Sequence, residues 1–290
     1  MGLLKKLGLR DHSSPEVGSV PLPVVPEDGC AFECDTCTTR FPSTVKIERD
    51  DPLWGSVKPW RMHLLVATGK SDWTHGMEDE HGMSNTLAHW SPAAKDIGRV
   101  LVSNSSLDPP AGYFESTDVE KRATNLLILP SMIEATNVSV GVATEVADAI
   151  SLLHAQSSTG EAPEIPSEIL GATIRDRKHA AVILICSHRT RDKRCGVTAP
   201  LLKKELEFNL REHELYRDAG DDRPGGVPIF YVSHVGGHKY AGNVLIYRSN
   251  GDGIWMGRVE PKHCKAIVEE TVLKGRVYPD YLRGAFKSEW

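Results

Sequence analysis

The sequence predicts an α/β protein arranged in two domains, and three observations carry that expectation. The chain's 290 residues exceed the usual length of a single domain. Apolar runs of strand length alternate with segments of helical period. A stretch with two prolines and two glycines, SSTGEAPEIPSEILGA at 157–172, divides the pattern. A net charge of −5 offers no basic field for nucleic acid, and no apolar run reaches the roughly 18 residues of a membrane span.

Residues 11–29, DHSSPEVGSVPLPVVPEDG, have no apolar periodicity and read as part of an extended arm, 1–44, that also carries Cys30, Cys34 and Cys37. The N-terminal domain, 45–160, then holds a strand at 61–68 (RMHLLVAT), a helix over 84–97, strands near 99–103 and 124–130, and a helix around 141–155. In the C-terminal domain, 173–290, HAAVILIC (179–186) is a buried-strand run. APLLKKELEFNLREH (199–213) is a helix with Leu202, Leu206 and Leu210 on one face. GVPIFYVS (226–233) is a further strand, and NVLIY (243–247) and IWMGRV (254–259) flank the hairpin signal SNGDG. Pro261 opens a last helix that Gly275 ends. The order β-α-β-β-β-α is that of a thioredoxin-like half, so the expected fold is two thioredoxin-like α/β domains.

Six cysteines in this length are too few for a secreted disulfide scaffold and suit a reducing compartment. Cys186 ends the 179–186 strand, and Cys195 follows across SHRTRDKR, at the carboxyl edge where open α/β sheets bind ligands. If the 226–233 strand shares that sheet, His234 leaves its end and His238 lies one short loop on, within HVGGHKYAGN. Gly236 and Gly237 would let the backbone wrap closely around a bulky guest. Three readings stand at this point: a core cysteine beside ordinary loop histidines, a Cys2His2 zinc site, or a [2Fe–2S] cluster with two cysteine and two histidine ligands. The C-x8-C spacing is longer than the spacer of a usual zinc knuckle.

The C-x8-C and H-x3-H spacings, the string HVGGHKYAGN and ATGKSDWTH (67–75) resemble the fungal sucrase/ferredoxin-like family over most of residues 30–290. The resemblance implies a C-terminal thioredoxin-like ferredoxin domain with a [2Fe–2S] cluster on Cys186, Cys195, His234 and His238. It further implies electron transfer or redox regulation with a redox partner protein, more than a stand-alone enzyme. The alternative is a zinc-stabilised Cys2His2 interaction module without redox activity. Two thiolates on a cluster core of charge +2 sum to neutrality, where four would leave −2, so electron uptake is easier than in four-cysteine ferredoxins. An imidazole nitrogen not bound to iron would couple that uptake to a proton. Arg189, Arg191, Lys193 and Arg194 would offset the reduced cluster's charge, dock an acidic partner, or form an ordinary solvated loop.

Other motifs stay open or plain. CAFECDTC places Cys30, Cys34 and Cys37 for a metal, for thiol–disulfide chemistry, or for neither. Cys264 falls on the apolar face of the last helix and reads as core. His75, His81 and His89 lack metal-ligand spacing and read as surface residues. No phosphate loop and no glycosidase carboxylate pair stands out. The terminal Ser288-Glu289-Trp290 is similar to the tripeptide read by the cytosolic iron–sulfur assembly machinery, with Ser288 departing from its aliphatic first position. MGLLKKLGLR is basic, but the proline-rich stretch behind it gains Glu16, Glu27 and Asp28, poor material for a presequence helix. The expected location is the cytoplasm, with mitochondria as the alternative.

Overall fold

A computed structural model describes residues 19–26, 32–35, 37–93, 97–157 and 164–287. The first half runs β1 (Met62–Ala67), α1 (Met83–Ala88), β2 (Val100–Ser105), β3 (Thr124–Leu129), β4 (Ile133–Val138) and α2 (Ala143–Ser157), then β5 (Glu168–Ile169) and β6 (Ala172–Asp176). The second half runs β7 (Ala181–Cys186), α3 (Lys193–Glu212), β8 (Tyr216–Arg217), β9 (Val227–Val232), β10 (Val244–Arg248) and β11 (Gly253–Met256). It closes with α4 (Cys264–Ala266), which widens into a π-helical turn at Ile267–Val272, and β12 (Leu282–Phe286). The protein is therefore a mixed α/β fold, as expected. Among the described residues no helix is long and apolar enough to cross a membrane.

All strands but β8 lie along one hydrogen-bonded path, β12-β11-β10-β7-β9-β2-β1-β3-β4-β6-β5. The path contains the same unit twice. The order β2-β1-β3-β4-β6 has one parallel pair followed by antiparallel ones, and β9-β7-β10-β11-β12 repeats it. The four inner strands of each unit have the thioredoxin-like order.

The units meet at a seam with twofold character, where Ser105 pairs with Val232. Ser106 N–H donates to Tyr231 O and Ser233 N–H to Asn104 O, both at 2.9 Å. The two hydroxyls repeat the exchange: Ser106 Oγ accepts from Tyr231 N–H at 2.9 Å, and Ser233 Oγ from Asn104 N–H at 3.0 Å. Laid strand on strand, Ala67 is the counterpart of Cys186, and Leu107 that of His234.

The sheet folds sharply at this seam. Between β1 and β10 the path has four strand spacings, about 19 Å in a flat sheet, yet Tyr247 Oη of β10 lies 3.1 Å from His63 Nδ1 of β1. Trp60 Nε1 donates to the same hydroxyl at 2.9 Å and meets Trp255 edge-on at 5.4 Å. A core shared by both halves fills the fold, including Leu65, Leu127, Leu184, Phe230 and Trp255. The outer face of the first half packs on α1 and α2, that of the second on α3 and α4. The arm's Val20 and Leu22 join this last core, and Val25 N–H bonds Val277 O at 3.1 Å.

Several expected boundaries move. The helix expected over 84–97 is α-helical only to Ala88, since Ser91 precedes Pro92 and the position before proline disfavours helix. The strand expected over 254–259 ends at Met256, where pairing with β12 shifts register and Arg258 adopts φ +59. The strands β4, β5, β6, β8 and β12 were not anticipated, and β5 and β6 occupy part of the stretch read as a break.

Four buried histidines set the acid response. Burial pushes His63 down to about 3 and His154, His179 and His263 down to about 4, from 6.5. Because these folded-state values lie below the unfolded one, the unfolded chain takes up protons first as pH falls. Stability is complete above about pH 6.5 and is expected to decline towards about pH 4, each histidine withdrawing up to about 1.4 kcal/mol per pH unit. Urea midpoints measured from pH 7.5 to 4.5 check this, and a flat profile contradicts it.

Candidate functional site

Parallel pairing sets Cys186 of β7 opposite Val232 of β9, so the chain leaves both strands at one edge of the sheet. Cys195 stands in the first turn of α3, and both cysteines are buried. The helix begins at Lys193, ahead of the expected Ala199, because Asp192 caps it by accepting from Arg194 N–H at 2.9 Å. The same carboxylate holds the Arg194 guanidinium at 2.9 and 2.8 Å. Lys193 and Arg194 thus belong to a helix and not to the loop. Gly196 is required there, since a Cβ would stand 2.3 Å from Arg189 Cβ.

Cys186 and Cys195 are both free thiols, and Cys195 and the His234 ring are the neighbours that act most strongly on the Cys186 sulfur. These contacts hold the Cys186 thiol well below the ordinary cysteine range despite burial. The neighbouring Cys186, together with burial, pushes Cys195 up. The His238 ring lies 5.3 Å from that of His234, centroid to centroid. Its Nδ1 is buried without a hydrogen-bond partner, and its Nε2 is 3.8 Å from Asp192 Oδ2. Burial lowers the pKa of His238. The four residues form a chain of contacts, Cys195 to Cys186 to His234 to His238. Among the described residues no group of three or more His, Cys, Asp or Glu side chains could hold a single metal ion.

Sequence reasoning gave no role to the residues that frame this corner. Asn243 accepts Cys186 N–H on its backbone oxygen at 3.1 Å, and its Nδ2 donates to Gly237 O at 3.1 Å, so one residue fixes both the strand end and the histidine loop. Asn243 Oδ1 accepts from Arg283 Nη1 at 2.7 Å and from Trp255 Nε1 at 3.2 Å. Arg283 is buried, and Nη1 also donates to Gly236 O at 2.8 Å. Desolvation brings its pKa down to about 10.

The loop after β1 clamps the cysteine loop. Ser71 O accepts from Ser187 Oγ at 2.6 Å, and Asp72 accepts from Thr190 N–H and Oγ at 3.0 and 2.9 Å. His188 Nδ1 accepts His234 N–H at 3.0 Å, which leaves Nε2 to donate to Trp73 O at 3.1 Å. The string ATGKSDW therefore acts as a brace, and that role was not readable from its residue types.

The loop glycines differ from one another. Gly237, at φ +70, has its Cβ position 2.2 Å from Arg283 Nη2, whereas Gly236, at φ +94, faces open space. Gly237→Ala is expected to cost about 2–3 kcal/mol and Gly236→Ala about 1 kcal/mol. Chemical denaturation of the two variants checks the order, and equal losses would remove the steric role of Arg283.

Cys34 and Cys37 do not approach this corner. They border a cavity of about 560 Å³ with Glu205 and His213, where Cys34 N–H bonds Lys262 O at 2.8 Å. Burial raises the Cys37 thiol, away from thiolate character. Cys30, Glu289 and Trp290 lie outside the described residues. Cys264 is fully buried, and His75, His81 and His89 are exposed.

Fold and site together define a duplicated thioredoxin-like α/β protein with paired thiols and imidazoles at one sheet edge. Residues 53–284 match the sucrase/ferredoxin-like family, and the chain belongs to that family. Actin patches distal protein 1 of Saccharomyces cerevisiae is 35% identical over 260 residues, 85% of this chain and 81% of that protein. Altered inheritance of mitochondria protein 32 of Clavispora lusitaniae is 42% identical over 106 residues, 37% of this chain and 35% of that protein. The protein of that name from Kluyveromyces lactis is 24% identical over 312 residues, 90% of this chain and 88% of that protein. No solved structure matches the chain.

Proposed function

We propose that this protein is a [2Fe–2S] electron-transfer or redox-regulatory protein whose cluster is held by Cys186, Cys195, His234 and His238. The observation that carries the reading is the buried, unpartnered Nδ1 of His238, one imidazole away from the neighbouring free thiols of Cys186 and Cys195. A buried ring nitrogen without a partner costs free energy that a metal bond would recover. Zinc favours three or four donors around one point. A binuclear cluster needs only two thiolates on one iron and two imidazoles on the other, and this pairwise grouping favours it over the zinc module.

When bound, such a cluster supplies one-electron transfer. The chain's own parts would divide the work around it. Cys186 and Cys195 keep their sulfurs dry, while the half-buried rings of His234 and His238 face the side from which a redox partner protein can approach. Buried Arg283 adds positive charge close enough to act on Cys186. We place the protein in the cytoplasm, with mitochondria as the alternative and Glu289-Trp290 as the tail read by the cytosolic assembly machinery. Deleting Trp290 is then expected to lower iron content in cells with the fold intact, and full loading in that variant would remove the tail's role.

Anaerobic purification tests the main reading. A reddish-brown protein with about two irons and two labile sulfides per chain, and a reduced-state EPR signal of low average g, is expected. A colourless protein with one equivalent of zinc would replace it with the zinc-stabilised interaction module.

A further inference from the structure

We infer that a cavity beside His234 is a binding site for a small planar organic acid. The cavity holds about 390 Å³, lies among the loop after β1, α1, β2 and the start of the loop after β9, and has His234 in its wall. That volume falls within the range of ligand pockets and suits a guest of one or two fused rings.

Three features define the guest. Asn104 is fully buried in the wall, with Oδ1 accepting from Ser84 Oγ at 2.7 Å and Nδ2 without any partner. A dry amide donor left unmade costs about 1–3 kcal/mol, which an oxygen on the guest would recover. Arg191 also lines the cavity, with Nη1 donating to His75 Nδ1 at 2.7 Å and no carboxylate paired with it among the described residues. An unpaired guanidinium is suited to a carboxylate. Glu78 is the one acid in the lining and limits the guest to a single negative charge. Trp73 and Trp90 supply aromatic wall, their indole N–H groups already donating to Thr68 Oγ at 2.9 Å and Asp148 Oδ1 at 3.1 Å. A flat apolar body packs well on such rings.

The inference rests on the proposed function only in its consequence. A guest here lies against a proposed iron ligand, so binding would alter the cluster's visible circular dichroism, whereas binding itself does not need the cluster.

Calorimetric titration of the full-length protein with 6-hydroxy-2-naphthoate tests the site. Saturable single-site binding is expected, with Arg191→Ala weakening it at least about tenfold. Filling the cavity by Ala88→Phe is expected to abolish binding, and 2-naphthoate, which lacks the hydroxyl, to bind several-fold more weakly. No saturable heat from the wild type, or unchanged affinity in both folded variants, overturns the site. Binding by protein that proves colourless and iron-free supports the site while overturning the cluster.

Discussion

On the proposed [2Fe–2S] reading, Cys186→Ala and Cys195→Ala are each expected to give a folded, colourless protein without the iron and labile sulfide of the wild type. Both cysteines are buried and lie beside one another, so removing either leaves the other as the single thiolate donor. One thiolate does not complete an iron that needs two protein donors. Cys264→Ala is the control: its thiol is fully buried in the core on α4, and iron content is expected to stay unchanged. His234→Cys and His238→Cys are expected to behave differently, retaining a cluster at lower potential because a thiolate adds negative charge in a poorly screened site. Iron and sulfide assays with a potentiometric EPR titration check the set. Full iron in either cysteine variant, or unshifted potentials in both histidine variants, would move the ligands elsewhere.

Arg177→Ala is expected to lower the melting temperature by roughly 6–20 °C. The Arg177 side chain, 9% exposed, meets both oxygens of Glu134 at 2.9 Å, and Glu134 is 1% exposed. Arg177 Nη1 reaches Asp222 at 3.2 Å, tying β4 to the segment before β9. Without the guanidinium the Glu134 carboxylate is left buried without its counter-charge, a loss of about 3–5 kcal/mol, which that temperature range expresses for a chain of this size. The double variant Arg177→Met with Glu134→Leu is expected to recover most of the loss, since an apolar pair of similar volume removes the stranded charge. A loss under about 1 kcal/mol in the single variant would mean that water reaches Glu134.

What was readable in the sequence follows from how each segment is buried. The strands β1 and β7 are apolar at nearly every position because both faces are covered, and such runs declare themselves. In β4 the buried Glu134 interrupts the pattern, and β12 carries the buried Arg283 and a glycine, so each reads as loop until its partners are known. The hairpin of β5 and β6 hides in a stretch of proline and glycine, with Leu170 and Gly171 at positive φ forming its turn. The candidate ligands were readable because cysteine and histidine at strand ends are few and their spacing is short. Arg283 was not, since its partners lie far away along the chain, and Asn243 owes its place at this corner to Cys186 and Arg283, which are likewise distant from it. No local spacing records a contact between residues 237 and 283.

The seam between β2 and β9 has a further consequence. Its reciprocal contacts, in which each side offers the other the same serine hydroxyl and the same backbone groups, are those of an isologous dimer interface, here closed within one polypeptide. In a true homodimer every substitution is copied to both sites, so a residue cannot serve as ligand on one side and as wall on the other. A single chain escapes that constraint. Leu107 can be apolar packing where its counterpart is His234, and the loop behind Ala67 can brace where the loop behind Cys186 carries the second thiol. The first half can thereby brace the candidate site as a rigid partner that the second half would otherwise have to find in solution.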